Sequence, residues 1–205
     1  KLTPKLLEQY GHKDWKVRKK AGDDIEAILK EAGMRIEANG TNELMDVMKK
    51  AMKDANKAVL KVYIILLGML AEAMGQPISK YQKKCFVPML SNLSDKQSLV
   101  RDEVVKCMNK WGDAIGAEKV INLLGEVIQV ENPEARTEGL KWILLHEPAI
   151  GSCDASTLVK PLIACLGDRV KGIRDLAEQV ARSVMAITGH PQFLNATKDR
   201  PQAVQ

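Results

Sequence analysis

Aromatic residues are scarce in this chain of 205 residues: they make up 4% of it, with three Trp, three Tyr and two Phe. Glycine and proline are also few, with 14 and 8 copies, while 45% of the residues are hydrophobic and 28% are charged. This composition excludes a disordered tail, a collagen-like fibre and a low-complexity segment. The core must be built mainly from Leu, Ile, Val, Ala and Met, which together with abundant Lys and Glu favours helices over strands.

Long hydrophobic runs are also absent. The longest run, from Val62 to Ala71, is bounded by the charged residues Lys61 and Glu72. It is much shorter than the roughly 20 residues that cross a bilayer, so the sequence predicts no membrane span. No signal segment opens the chain, and its first residue is Lys1 rather than Met. We therefore expect the chain to be a piece of a longer protein.

Cysteine and histidine are too few and too scattered to predict a metal site. The four cysteines follow neither a zinc pattern nor a compact disulfide framework, and we expect buried thiols in a reducing compartment. No Walker loop, dinucleotide-binding glycine motif or H-E-x-x-H sequence is present. The sequence therefore predicts no enzyme, no cofactor and no bound metal. The residues concerned are Cys85, Cys107, Cys153 and Cys165, with His12, His146 and His190.

Basic residues outnumber acidic ones by 31 to 26, which gives a net charge of +5 and a pI near 9.0. This balance indicates either an acidic partner or simply a basic surface. Charge alone leaves nucleic acid, membrane and protein open as partners.

Apolar residues recur at helical spacing along almost the whole chain, and no stretch alternates as a half-buried strand does. Glycines and prolines divide the pattern into pairs of helices. The second helix of each pair opens with an acidic or amide residue, a short polar step and a small apolar residue, which we call the repeat anchor. The anchors lie on average 39 residues apart, near the HEAT and armadillo period of roughly 40–47 residues. They are Val17, Val59, Val100, Ala135 and Ile173.

A single pair of helices cannot bury such an apolar face, so the pairs must stack. The sequence therefore predicts an all-α protein, a right-handed α-solenoid of HEAT repeats with about five to six helix pairs. Residues 1–189 form the predicted single domain, and residues 190–205 are a partial last repeat or a linker. Trp111 and Trp142 lie on apolar stripes in mid-helix, and we expect both in the core.

The residue after the anchor is arginine in four of the five repeats. An aspartate lies six residues before Arg101, and another lies six before Arg174. Each aspartate, Asp95 and Asp168, is expected to pair with the arginine of a neighbouring repeat. The pattern therefore predicts a structural ladder rather than a binding site.

Trp15 lies two residues before its anchor, where the other repeats have Lys, Ser, Pro and Lys. Such a position faces solvent, and an exposed Trp with basic neighbours is typical of a binding hot spot. Equivalent loops line up along one edge of stacked repeats. With about 8–10 Å per helix layer, five repeats predict a basic edge on the order of 50 Å long. Its predicted residues are Trp15, Lys16, Lys57, Lys96, Arg136, Arg169 and Lys171.

The opening Asp14-Trp15-Lys16-Val17-Arg18-Lys19, set in a HEAT array of this size, resembles a TOG domain of the ch-TOG/Mini spindles microtubule polymerases and the related CLASP proteins. The likeness covers nearly all of residues 1–189. The loops Glu131-Asn132-Pro133 and Asp168-Arg169, with the stretch around Trp111, resemble the fourth TOG domain of such a protein.

This resemblance implies that the intra-repeat loops bind the curved αβ-tubulin dimer or microtubules, with Trp15 in the leading role and the six basic residues of the edge as further contacts. It also implies a non-enzymatic module, monomeric in isolation, that regulates microtubule growth in the cytoplasm, at the spindle and at the centrosome or spindle pole. Two departures stand out. TOG domains have six repeats where five are clear here, and the second loop, Ala55-Asn56, matches weakly.

Two other functions remain open at this point. HEAT-like alkylpurine DNA glycosylases also combine a basic solenoid with tryptophans. That activity needs several aromatics and a carboxylate on one concave surface, whereas the tryptophans here divide between a loop and two helix interiors, which disfavours nucleic acid. The other alternative is a scaffold that holds an acidic peptide in its groove.

Overall fold

A computed structural model describes residues 3–36 and 40–197 of the chain. All regular structure within those ranges is helical, and they contain no β-strand, which confirms the predicted all-α class. The α-helices are α1 (Pro4–Glu8), α2 (Trp15–Glu31), α3 (Asn42–Ala51), α4 (Lys57–Met74), α5 (Val87–Leu90), α6 (Ser98–Ile115), α7 (Ala117–Gln129), α8 (Pro133–Leu145), α9 (Ser156–Leu166), α10 (Lys171–Thr188) and α11 (His190–Thr197).

The helices follow one another as HEAT-type pairs. α1 pairs with α2, α3 with α4, α7 with α8 and α9 with α10, while α6 pairs with an irregular segment that contains α5. α11 begins directly after the fifth pair, where the sequence predicts a partial last repeat. Each repeat anchor is the third residue of the second helix of its pair. The 39-residue period of the sequence therefore reflects a repeated local structure, a loop followed by the start of a helix. The anchor is the first residue of that helix that faces the neighbouring helices.

Two compact units make up the chain, and the boundary between them falls between Gly116 and Ala117. The first unit contains α1 to α6, with α4 packed against α2 and α6. The second contains α7 to α11, with α9 packed against α7, α10 and α11. No helix within the described residues is long and apolar enough to cross a membrane.

Both mid-helix tryptophans are buried, as predicted. Trp111 stacks on Phe86 with ring centroids 4.5 Å apart. Trp142 stacks on His146 at 3.7 Å. The expectation of four buried thiols is wrong for one of them, because Cys153 is only half-buried.

The first element of the third pair is not one continuous helix. It consists of 3₁₀ turns at Gln76–Tyr81 and Ser91–Ser94, a π-helix at Gln82–Phe86, and the single turn α5. Pro88 lies within α5 and has no N–H to donate to the preceding turn, which disfavours regular α-helical hydrogen bonding there.

Candidate functional site

One loop joins the two helices of each pair, so there are five loops in the described residues. They span residues 12–14, 52–56, 95–97, 130–132 and 167–170, and we call them loop 1 to loop 5 in that order. A side-chain oxygen in each loop accepts a backbone N–H near the start of the second helix. In loop 1 the carboxylate of Asp14 accepts the N–H of Lys16 at 2.9 Å, and in loop 4 the amide of Asn132 accepts the N–H of Ala135 at 2.9 Å. In loops 1, 2 and 4 the acceptor caps the second helix, whereas in loops 3 and 5 Asp95 and Asp168 accept the N–H of Gln97 and Val170, which are still in the loop.

Ion pairs join neighbouring loops within each unit. In the first unit, the Arg18 guanidinium donates to both carboxylate oxygens of Asp54 at 2.8 and 3.0 Å. The Nζ of Lys57 lies 2.5 Å from Asp95 Oδ2. In the second unit, Arg136 Nη1 donates to Asp168 Oδ2 at 2.5 Å. The basic group always belongs to one repeat and the carboxylate to the loop of the next, so these pairs hold loops 1 to 3 side by side, and loops 4 and 5 likewise.

The predicted ladder is confirmed for Asp168, which pairs with Arg136 of the preceding repeat. Asp95 pairs instead with Lys57, because Leu60 stands at the arginine position of the second repeat. The two arginines predicted to be structural each bind their own loop. Arg101 donates to the carbonyls of residues 95 and 96, and Arg174 donates to those of residues 168 and 169.

The loop carboxylates are held in their ionised form. Burial alone would raise the pKa of Asp54, but hydrogen bonds from Arg18 and from the Asn56 N–H outweigh it and lower that pKa. The pKa values of Asp95 and Asp168 are lowered for the same balance of causes, with burial opposed by backbone N–H groups and by the basic partner. A carboxylate stabilised in this way keeps its loop geometry at neutral pH.

Two predicted edge residues are already engaged inside the protein. Arg136 is 6% exposed, and its guanidinium donates hydrogen bonds to the carboxylate of Asp168 and to the carbonyl of Ile128, the latter at 3.0 Å. The expectation that Arg136 lies exposed on the basic edge is therefore wrong, because burying its charge requires these partners. Lys57 is half-buried and paired with Asp95, which also limits what it can offer to a ligand.

The other predicted edge residues are exposed. Trp15, the first residue of α2, has 39% of its surface accessible to solvent, which confirms that it projects from loop 1. Lys16 and Lys96 are exposed with it in the first unit, and Arg169 and Lys171 are exposed in the second. The cationic set is thus smaller than predicted and divided between the two units.

Three exposed apolar side chains on these loops escaped the sequence analysis. Leu99, in the first turn after loop 3, is 62% exposed, while Val130 in loop 4 and Val170 in loop 5 are 54% and 45% exposed. The sequence feature that could have identified Leu99 is its position: it directly precedes the buried anchor Val100 and so lies outside the apolar stripe of α6. Loops 1, 3 and 5 therefore each present an exposed apolar side chain beside an exposed cation.

Residues of loops 4 and 5 also line an open pocket of about 460 Å³. Glu131, Arg136 and Arg169 are among its lining residues, so its walls carry both signs of charge. Within the described residues, no group of three or more His, Cys, Asp and Glu side chains is arranged to hold a metal ion.

Comparisons with known proteins connect this geometry to one family. No protein-family model matches the chain. Protein MOR1 of rice (Oryza sativa subsp. japonica) is 28% identical over 204 residues, which cover 98% of this chain and 10% of MOR1. Centrosomal protein 224 of Dictyostelium discoideum is 30% identical over 88% of this chain and 9% of that protein. Protein mini spindles of Drosophila melanogaster is 24% identical over 92% of this chain and 10% of that protein. The chain thus spans about a tenth of the length of these relatives.

Solved structures agree on the fold. A structure from work on microtubule plus-end tracking by XMAP215, CLIP-170 and EB1 superposes with a TM-score of 0.75 at 17% identity, covering 99% of this chain and 86% of that one. The third TOG domain of Drosophila melanogaster Mini spindles superposes at 0.66 and 15% identity, covering 100% and 90%. Correspondence to the fourth TOG domain stays a prediction. Taken with the repeated helix pairs and with Trp15 directly after loop 1, these matches identify the chain as a TOG domain of the ch-TOG/Mini spindles family.

Proposed function

We propose that this chain is the tubulin-binding module of a microtubule-associated protein that regulates microtubule growth, and that it binds αβ-tubulin through the loops of its two units. The observation that carries the proposal is the exposed indole of Trp15 beside the exposed ammonium group of Lys16. An apolar anchor with a charged rim is the arrangement on which protein–protein hot spots depend.

The proposed contacts divide into two kinds. In the first unit, Trp15 and Leu99 supply apolar surface, while Lys16 and Lys96 supply charge. In the second unit, Val130 and Val170 supply apolar surface, while Arg169 and Lys171 supply charge. Lys57 and Arg136, which the sequence predicts as contacts, act in this proposal by holding loops 3 and 5 in position.

Relatives and structural neighbours support the choice of partner. One neighbour comes from work on tubulin recruitment and assembly by microtubule polymerases with TOG domain arrays (TM-score 0.77, 12% identity, covering 98% of this chain and 44% of that one). The names of Protein mini spindles and Centrosomal protein 224 refer to the spindle and to the centrosome. We accordingly propose action in the cytoplasm on the cytoskeleton, at the spindle and at the centrosome or spindle pole.

Binding rather than catalysis is the proposed activity, because the loops present apolar and basic side chains. A base-excising enzyme on nucleic acid is less well supported. Trp111 and Trp142, which such an enzyme would need on its binding face, are both buried.

Gel filtration of the purified chain with αβ-tubulin tests the proposal. We expect a monomeric chain that co-elutes with tubulin at low salt, with less co-elution as salt is added, because tubulin is acidic and the loop cations are solvent-exposed. Separate elution at low salt would contradict the proposal. Co-elution that is insensitive to salt would assign binding to the apolar residues alone.

A further inference from the structure

Five lysines lie on two neighbouring elements of the first unit; four of them lie outside the loops, and Lys53 lies in loop 2. The end of α3 and the turn that follows it contribute three, and the π-helix Gln82–Phe86 contributes two. We call this surface the lysine patch. Its lysines are Lys49, Lys50, Lys53, Lys83 and Lys84.

Hydrogen bonds fix the two elements that carry the patch in a parallel register forty residues apart. The hydroxyl groups of Thr41 and Tyr81 lie 2.8 Å apart near the start of α3. The Cys85 thiol donates to the carbonyl of Met45 at 3.3 Å. At the far end, the Asn92 amide donates to the carbonyl of Met52 at 3.1 Å. Four of the five lysines therefore extend from this hydrogen-bonded scaffold, and Lys53 directly follows its Met52 contact.

Most of the charge in the patch is not neutralised by the protein. Lys84 pairs with Asp46 at 2.8 Å, whereas the other four lysines make no ion pair within residues 3–36 and 40–197. The only other acidic residue on the exposed side of α3 is Glu43. The pKa of Asp46 is lowered by its hydrogen bond to Lys84 and then by the charges of Lys49 and Lys50, which indicates a positive local field.

Lysines on α2 behave differently. Three of them lie one helical turn from a carboxylate and pair with it, so the face of α2 is neutralised locally. These pairs are Lys19–Asp23, Lys20–Asp24 and Lys30–Glu26. Excess positive charge is thus a property of the patch rather than of every helix in the first unit.

The π-helix is a second, independent observation. Single π-turns are rare and occur frequently at functional sites. Here the turn runs from residue 82 to residue 86, and it carries Lys83 and Lys84 at the exposed side of the patch.

We infer that the lysine patch binds an extended acidic polypeptide segment. Such a segment supplies carboxylates for the lysines and backbone N–H donors for Glu43 and Asp46, whereas a nucleic-acid backbone offers phosphate acceptors only. An anionic membrane surface fits less well. The exposed large apolar side chains that anchor proteins in lipid lie elsewhere among the described residues, on the loops and at the ends of α8 and α10. This inference is independent of the proposed contact with tubulin.

Fluorescence anisotropy with a fluorescein-labelled peptide of ten glutamates tests the inference. The triple variant Lys49→Gln, Lys50→Gln and Lys83→Gln, whose lysines all lie outside the loops, should bind this peptide about tenfold more weakly at low salt, because three exposed charge contacts are removed. The matched control Lys19→Gln, Lys20→Gln and Lys30→Gln changes the net charge by the same amount. It should bind within about twofold of the parent, since its lysines are already paired.

Equal weakening in the two triple variants would overturn the inference in favour of a general charge effect, and so would unchanged binding in the patch variant. The same titrations use a ten-nucleotide thymidine oligomer and phosphatidylserine–phosphatidylcholine vesicles. Tighter, patch-dependent binding of either one would replace the peptide as the partner. Trp15→Ala should still bind the glutamate peptide but should no longer bind tubulin. This result would distinguish the present inference from the proposed function.

Discussion

Arg18 and Asp54 form a two-point ion pair between loop 1 and loop 2, with nitrogen–oxygen distances of 2.8 and 3.0 Å. Only 4% of the Asp54 side chain is exposed. The same arginine also donates to the carbonyls of His12 and Lys13 in its own loop. One side chain therefore fixes the backbone beside Trp15 and couples it to the next repeat.

Replacing Asp54 with alanine should destabilise the fold. It leaves the Arg18 guanidinium without its carboxylate partner. We expect a loss of about 3 kcal/mol in the free energy of unfolding, near the lower end for a broken buried pair because Arg18 keeps some contact with water. Urea denaturation measures it. The control Asp46→Ala removes an exposed carboxylate and should cost under about 1 kcal/mol; similar losses in the two variants would contradict the role of Asp54.

Acid should weaken the fold through the loop carboxylates. The pKa values of Asp54, Asp95 and Asp168 are all lowered below the usual 3.8. The unfolded chain therefore takes up protons first, and the stabilisation is fully present above the usual value and lost as the pH falls through the lower folded values. Urea midpoints measured from pH 6 down to pH 3 should fall most steeply below about pH 4. In Asp54→Asn that fall should be shallower; an unchanged slope would exclude Asp54 as a contributor.

Trp15 and Trp142 allow a test in which the same side chain is deleted at an exposed and at a buried site. Trp15→Ala should keep a near-native melting temperature and lose most tubulin co-elution, because the indole is exposed. Trp142→Ala should lose about 3–5 kcal/mol of stability through the cavity it creates, while its folded fraction still binds. Thermal unfolding and gel filtration are run on both. A large fall in melting temperature for Trp15→Ala, or full retention of binding, would remove Trp15 from the proposed interface.

Leu99 should contribute to tubulin binding although it contributes little to the core. Leu99→Ser should weaken binding by about fivefold or more, which corresponds to roughly 1 kcal/mol, and should leave the melting temperature nearly unchanged. Leu145 is a matched control, since it is 71% exposed but lies at the end of α8, away from loop 4. If Leu145→Ser weakens binding as much as Leu99→Ser does, the loops are not the interface.

Gly139 should not tolerate a side chain, because a Cβ atom there would lie 2.7 Å from Cγ2 of Ile128 on the neighbouring helix. Gly139→Ala should cost about 1–3 kcal/mol through overpacking between α7 and α8. Gly172, in the first turn of α10, has no atom within 4 Å of the equivalent position. Gly172→Ala should therefore be neutral or stabilising by up to about 1 kcal/mol, because alanine restricts the unfolded chain. Chemical denaturation compares the two, and equal effects would contradict the packing argument.

Interactions between residues close in sequence determined the helix pairs and the positions at which the helices begin, so both could be predicted from the sequence. The anchors, the capping residues and the exposure of Trp15 all follow from periodicity and from the preference of side-chain oxygens for free N–H groups, which act within a few residues. The ladder was also within reach, since Asp168 and Arg136 recur at fixed repeat positions.

Contacts between repeats decided the rest. The sequence predicts Arg136 as an exposed cation. Its burial is possible only because the carbonyl of Ile128 and the carboxylate of Asp168 accept hydrogen bonds from its guanidinium. The sequence shows that Leu99 is apolar and precedes the stripe that begins at Val100, but only the structure shows that the first turn of α6 directs it toward solvent. The lysine patch needed the parallel register of α3 with residues 82–92. Burial and charge pairing depend on which elements meet, and elements about forty residues apart meet only once the repeats are stacked.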